Sequence, residues 1–305
     1  MTAIQSAPSR SGTATEDPPA VRVRGLVKRY GGKAVVDGLD LDVRQGECFA
    51  LLGPNGAGKT TTIEILEGVR RRDEGNVSVL GVDPVAGGRG WRARLGVVSQ
   101  AESAGQALTV REALDHFARY HAAPRPTGEL LTVTGLEEKA GTRVAALSGG
   151  QRRRLAVALG VQGRPGVVFL DEPTTGMDPV ARRQFWELVR GLRAGGATVL
   201  LTTHYLDEAA ELADRVGVIA DGRLVDVAPP AELGADLRRR ATVSWLEAGA
   251  RREVGTENPS AVLRDLLAAH TRDEVPGLTV TRPGLEDVYL QLVGAVPTPA
   301  EESLR

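Results

Sequence analysis

The chain has 305 residues, 42% of them apolar, which is ample for one large packed domain with a smaller companion and reads as globular. Thirty-eight basic residues against 39 acidic ones give a formal net charge of −1, so no long-range field steers the chain toward nucleic acid or an anionic membrane surface. The single cysteine, Cys48, excludes an internal disulfide framework and a cysteine-only metal site, and no apolar run approaches the roughly 18 residues that a membrane span needs.

Residues 1–20 are rich in Ser, Thr, Pro and Ala, hold no apolar stretch of signal-peptide type and read as a disordered leader. "VRVRGLVKRY" (21–30) and "LDLDVRQG" (39–46) read as half-buried antiparallel strands, and "ECFALLG" (47–53) as a buried strand entering a glycine loop. A helix is expected from Lys59, followed by strands at "NVSVLG" (76–81) and "LGVVSQ" (95–100). Helices are then expected over Val110 to Tyr120, Glu129 to Leu136 and Gly150 to Gly160. "GVVFLDEP" (166–173) and "ATVLLTTH" (197–204) are short apolar runs ending in polar residues, as in parallel strands buried on both faces with functional ends at the carboxyl edge. The arginine triplets 70–72, 152–154 and 238–240 read as solvated helix faces.

Pro-Pro and a charge run in "DVAPPAELGADLRRR" (226–240) mark a boundary. Beyond it "ATVSWLEAG", a helix from Ser260 to His270, "GLTVTRP" and "LEDVYLQLVG" suggest a small α+β appendage. The expected organisation is an α/β domain over 21–235 with a helical insertion at about 101–160, an appendage over 236–295 and a disordered tail over 296–305.

Three stretches carry chemistry. "GPNGAGKT" (53–60) fits GxxxxGK[ST] between a strand and a helix, the setting of a phosphate-binding loop. Gly53, Pro54, Asn55, Gly56, Ala57, Gly58, Lys59, Thr60 and Thr61 are the candidate contacts: Gly56 and Gly58 turn backbone N–H groups inward, Lys59 reaches the terminal phosphates and Thr60 can hold Mg²⁺. In "VVFLDEP" Asp171 is placed to hold Mg²⁺ through water and Glu172 to orient or deprotonate an attacking water. Alone, this pair could equally cap a helix ahead of its proline; beside the cradle the chemical reading leads. Asp178 in "TTGMDP" is a credible N-cap before Pro179 and a candidate nucleotide contact. "LSGGQRRRLA" (147–156) brings Ser148, Gly149, Gly150 and Gln151 to a helix N-terminus, a second anion-binding arrangement in one chain.

"GPNGAGKT", "LSGGQ" and "FLDEP" in that order, with Gln100 closing "GVVSQ" and His204 closing "VLLTTH", make residues 21–235 resemble the ATP-binding subunit of ABC transporters. The resemblance implies a P-loop NTPase α/β core with a parallel sheet, an antiparallel β subdomain and a helical subdomain, and an Mg²⁺-dependent ATPase. It implies Tyr30 as the aromatic stacking on adenine, Gln100 as the glutamine that touches Mg²⁺ and leads toward the membrane subunit, and His204 as the switch histidine at the γ-phosphate. It also implies a homodimer that sandwiches ATP, the cradle of one chain facing the signature of the other, so the second anion site serves the partner's nucleotide.

More narrowly, "RRRLAVAL", "FLDEPTTGMDP", "TTHYLDEAAELADRVGVI" and "GLEDVYLQLVG" resemble the ATPases paired with separate ABC-2 type permeases in the drug and antibiotic exporter group, which places the chain on the cytoplasmic face of the membrane. "AESAGQALTV" (101–110) departs from that pattern, being small and polar where bulky apolar docking contacts are expected. The alternative is a soluble ABC ATPase acting on ribosomes or nucleic acid; the near-neutral charge, the single cassette and the lack of a long coiled-coil insertion stand against it. A nucleotide-gated regulator is a third reading.

Overall fold

The computed structural model describes residues 18–98, 107–269 and 275–294. Strands β1 (Val21–Tyr30), β2 (Lys33–Val43) and β4 (Glu74–Val79) form an antiparallel sheet in the order β2-β1-β4. The alternation in β1 is literal: Val21 and Val23 are buried while Arg22 and Arg24 face solvent. Between β1 and β2, Gly31 and Gly32 have φ +55° and +84°, the paired positive values of a two-residue hairpin turn, so Tyr30 pairs with Lys33 and β2 begins well before the expected Leu39.

The central sheet has the order β5-β6-β7-β3-β8-β9. Strands β3 (Cys48–Leu52), β5 (Leu95–Val98), β6 (Val167–Asp171), β7 (Thr198–Thr203) and β8 (Arg215–Ala220) run parallel; β9 (Arg223–Ala228) turns back antiparallel at the edge through Asp221 and Gly222. All residues of β3, β6 and β7 are buried, which is why these strands are continuous apolar runs. Each strand divides between two cores: Phe49 and Leu51 of β3 face the antiparallel sheet, whereas Cys48, Ala50 and Leu52 face the helices.

Helix α1 (Lys59–Leu66) follows β3, and the short α2 (Arg89–Arg92) precedes β5 with Trp91 buried. The helical insertion contains α3 (Val110–Ala118), α4 (Thr127–Thr134) and α5 (Gly149–Val161), each within two residues of expectation at its start. Helices α6 (Pro179–Ala194) and α7 (Leu206–Leu212) follow β6 and β7. After α8 (Ala235–Arg239), strands β10 (Ala241–Glu247), β11 (Ala250–Thr256) and β12 (Thr279–Thr281) form a third sheet, β11-β10-β12, with α9 (Pro259–Ala269) and α10 (Leu285–Leu292). Leu285, Tyr289 and Leu292 of α10 pack against the helix-side core of the central sheet. No helix among the described residues is long and apolar enough to cross a membrane.

The arginine triplets are solvated only in part: Arg71, Arg152, Arg239 and Arg240 are exposed, whereas other members are held by the fold. Arg72 makes a two-pronged ion pair with Asp83, Arg154 donates to the carbonyls of Thr134 and Gly135 at the end of α4, and Arg238 donates to those of Leu233 and Pro230. Their guanidinium forks close chain ends and turns, which a charge pattern alone does not reveal.

Candidate nucleotide site

The sheet order sets β6, β7 and β3 side by side, so the segments leaving their carboxyl ends converge: the glycine loop after β3, Asp171 and Glu172 at the end of β6, His204 after β7. In the loop, Gly53 and Gly58 are required by space. A Cβ on Gly53 would lie 2.5 Å from the Ile219 carbonyl oxygen, and one on Gly58, where φ is +104°, would lie 2.6 Å from that of Val35. Gly58 caps α1 without a side-chain hydrogen bond, which leaves backbone N–H groups at this helix start for an anion. Pro54, Asn55, Gly56 and Thr60 are exposed along the mouth, Ala57 is buried and Thr61 is half-buried on α1.

Lys59 is buried with its ammonium turned into the loop. Nζ donates to the carbonyls of Gly53 at 2.8 Å and Pro54 at 3.1 Å, and lies 3.3 Å from Glu172 Oε1. Thr60 Oγ1 donates to Asp171 Oδ1 at 3.3 Å. That oxygen also accepts from Thr202 Oγ1 at 2.5 Å, and Thr202 Oγ1 accepts from the Glu172 N–H at 2.9 Å. Glu172 has φ +43°, a left-handed conformation found for few residues with a side chain. Its Oε1 is 3.6 Å from His204 Nδ1, a buried nitrogen with no hydrogen-bond partner among the described residues.

A hydroxyl and a carboxylate oxygen brought together by Thr60 and Asp171 are hard donors of the kind Mg²⁺ takes alongside phosphate and water oxygens, and the residues fit that ion. Arg153 on α5 donates from Nε to the Pro173 carbonyl at 3.0 Å and from Nη2 to that of Asp171 at 2.7 Å. Burial pushes its guanidinium pKa down, with Asp171 and Glu208 opposing. Glu208, fully buried on α7, has its carboxyl pushed up by burial, with Thr203, Thr174 and Trp186 opposing.

Other candidates stand around this centre. Tyr30, 40% exposed, has Lys28 Nζ at 5.5 Å and the Arg70 guanidinium carbon at 5.4 Å from its ring centroid. Ser148 caps α5: its Oγ accepts from the Gln151 N–H at 3.3 Å while Gln151 Oε1 accepts from the Ser148 N–H at 3.0 Å. Ser148 and Gly149 are exposed, and Gly150 packs toward Ala181. Asp178 caps α6, accepting from the Val180 and Ala181 N–H groups, both at 2.9 Å. Gln100 lies outside the described residues.

Thr202 and Arg153 were not among the sequence candidates. A pair of threonines at the end of an otherwise apolar strand was the available signal for the first; the second was hidden in a triplet read as surface charge.

The sequence model of the ABC transporter family matches residues 36–175. Nod factor export ATP-binding protein I of Ralstonia nicotianae (strain ATCC BAA-1114 / GMI1000) is 41% identical over 303 residues, covering 90% of this chain and 94% of that protein. The protein of the same name from Burkholderia orbicola (strain AU 1054) is 39% identical over 305 residues, covering 89% and 96%. Among solved structures, an ATP-binding subunit of an ABC transporter superposes with TM-score 0.64 at 26% identity, covering 71% of this chain and 92% of that one. A dimeric ATP-binding cassette in a post-hydrolysis state with ADP and Pi gives TM-score 0.62 at 23% identity, covering 69% and 98%, a likeness of fold. With 41% identity across 94% of a relative, the likeness extends beyond fold, and the chain belongs to the ABC transporter family as one of its ATP-hydrolysing subunits.

Proposed function

We propose that this chain powers export through a separate membrane permease of the ABC-2 type, using ATP sandwiched between two copies of itself. The observation that carries the reading is the presence, in one chain, of a complete phosphate cradle and of a second, exposed helix N-terminus capped by Ser148. In the dimer, the cradle of one copy meets Ser148, Gly149, Gly150 and Gln151 of the other, and the pair makes two composite sites. Tyr30 stacks on adenine, Lys59 and the loop N–H groups hold the phosphates, and Gln100 and Asp178 complete the contacts.

Thr60, Asp171 and Gln100 would hold Mg²⁺, which when bound neutralises charge on the phosphate oxygens. Glu172 accepts the proton of the attacking water, and His204 contacts the γ-phosphate. Residues 21–235 constitute the ATPase domain and 236–295 an appended α+β unit. The chain works on the cytoplasmic face of the membrane, and nucleic acid is not a partner, in keeping with the net charge of −1. The names of the relatives speak of Nod factor export and the sequence resemblance of drug or antibiotic efflux; both are export, and uptake assays in vesicles carrying the cognate permease separate the two cargoes.

Complementation tests the sandwich. Chains carrying Lys59→Ala or Ser148→Ala should each fail to occlude ATP, while their mixture, in a Glu172→Gln background, should occlude it at one intact site per heterodimer. Absence of occlusion despite demonstrated heterodimers removes the proposed role of the signature.

A further inference from the structure

Arg153 lies in the second turn of α5, the helix that Ser148 caps. Its Nε and Nη2 reach the carbonyls of Pro173 and Asp171 at 3.0 and 2.7 Å, so one guanidinium grips the carbonyls of the residues on both sides of Glu172. Glu172 is the residue held at φ +43°, and an L-residue stays in that region only when its surroundings over-determine it. The planar fork of arginine suits this task, since its donors point in fixed, separate directions, which a lysine ammonium on its flexible stem does not offer. On the opposite side the Glu172 N–H donates to Thr202 Oγ1 of β7 at 2.9 Å. The turn that aims the Glu172 carboxylate between Lys59 and His204 is therefore fastened twice, to β7 and to the signature helix.

We propose that Arg153 is a positioning residue that holds the left-handed turn of Glu172 in place, so that the position of the signature helix sets the carboxylate of its own chain. The inference rests on the sandwich reading for its consequence. In that dimer Ser148 of a chain faces the partner's nucleotide while Glu172 of the same chain acts on its own, and Arg153 becomes a rigid tie between the two sites. Binding at one nucleotide shifts α5 and thereby alters the aim of the carboxylate at the other.

The test uses the full chain with ATP and Mg²⁺ and compares Arg153→Met, which keeps the aliphatic stem and removes the fork, with Arg153→Lys. For Arg153→Met kcat should fall about 10- to 100-fold, the effect of misplacing a reacting group by around an ångström. KM for ATP should stay within about twofold, as for a group acting on the reaction rather than on binding. Arg153→Lys should fall between the two, and carries the same split if the methionine variant does not fold. In a Glu172→Gln background Arg153→Met should still occlude ATP.

A kcat within about twofold of the parent beside a lowered Tm would make Arg153 a structural tie only and overturn the inference. A rise in KM that accounts for the whole loss, with occlusion also lost, would assign Arg153 to nucleotide binding and overturn it too. Failure of Glu172→Gln with Arg153 intact to occlude ATP as a dimer counts against the sandwich reading instead, because the split between kcat and KM is measured without reference to occlusion.

Discussion

Lys59 and Glu172 hold each other in this conformation, 3.3 Å apart with side-chain exposures of 4% and 13%. A phosphate entering the cradle competes for the lysine, whereas the carboxylate keeps His204 Nδ1 at 3.6 Å and the Thr175 hydroxyl at 3.5 Å. The two residues therefore fail differently. Lys59→Ala should lose most ATP affinity, read as lost binding of a fluorescent ATP analogue, because the charge opposite the β- and γ-phosphates is gone. Glu172→Gln should bind nucleotide normally but hydrolyse it about 100-fold or more slowly, within the range assigned to a general base, and accumulate as an ATP-bound dimer in sedimentation. Both residues were legible in the sequence because a phosphate loop and an acidic strand end impose residue types at fixed spacing. Thr202 and Arg153 were not, because their work is to bond backbone and carboxylate groups brought close only by the β6-β7 pairing and the packing of α5.

Among the elements, α5 presents the sharpest ambiguity, since Ser148 both caps the helix and is the proposed contact to a partner's nucleotide. Ser148→Ala should lower stability by about 0.5–2 kcal/mol, the usual cost of a lost cap, whereas Ser148→Asn should restore it. If the asparagine variant regains Tm but not ATP occlusion, the two roles are separate; full recovery of occlusion would mean that capping alone matters. At the other end of α1, Glu67 is pushed from its ordinary 4.5 to about 8 by burial, with Asp171 and Glu64 adding to the effect. A carboxyl raised in the folded state makes its full contribution below pH 4.5 and loses it as pH rises through 8. Glu67→Gln should accordingly match the parent in Tm near pH 4.5 and exceed it progressively up to pH 8 and above, as scanning calorimetry across that range would show. The ends of elements were harder to read than their cores. β2 starts early because a Gly-Gly turn, not hydrophobic alternation, decides where it begins. β11, "ARREVGT", carries no apolar period because nearly all of it is exposed.

At the scale of the molecule, the central sheet was readable because strands covered on both faces must be apolar throughout, and those covers are the antiparallel sheet on one side and the helical insertion on the other. The antiparallel return of β9 was not, since a two-residue turn at Asp221 and Gly222 is a local matter that leaves the apolar pattern unchanged. Cys48 opens β3, the strand flanked by β7 and β8, and burial pushes its thiol up to about 12. The chain thus contains one thiol, and it stays silent while the sheet is closed, a built-in gauge of opening. A maleimide should label it negligibly in buffer, completely in urea, and more slowly again when ATP and Mg²⁺ bind the native state alone. Labelling in buffer at the rate of a free thiol would contradict the burial of β3. From the slowing at graded nucleotide concentrations, the grip of ATP on the folded chain can be weighed without measuring hydrolysis or transport.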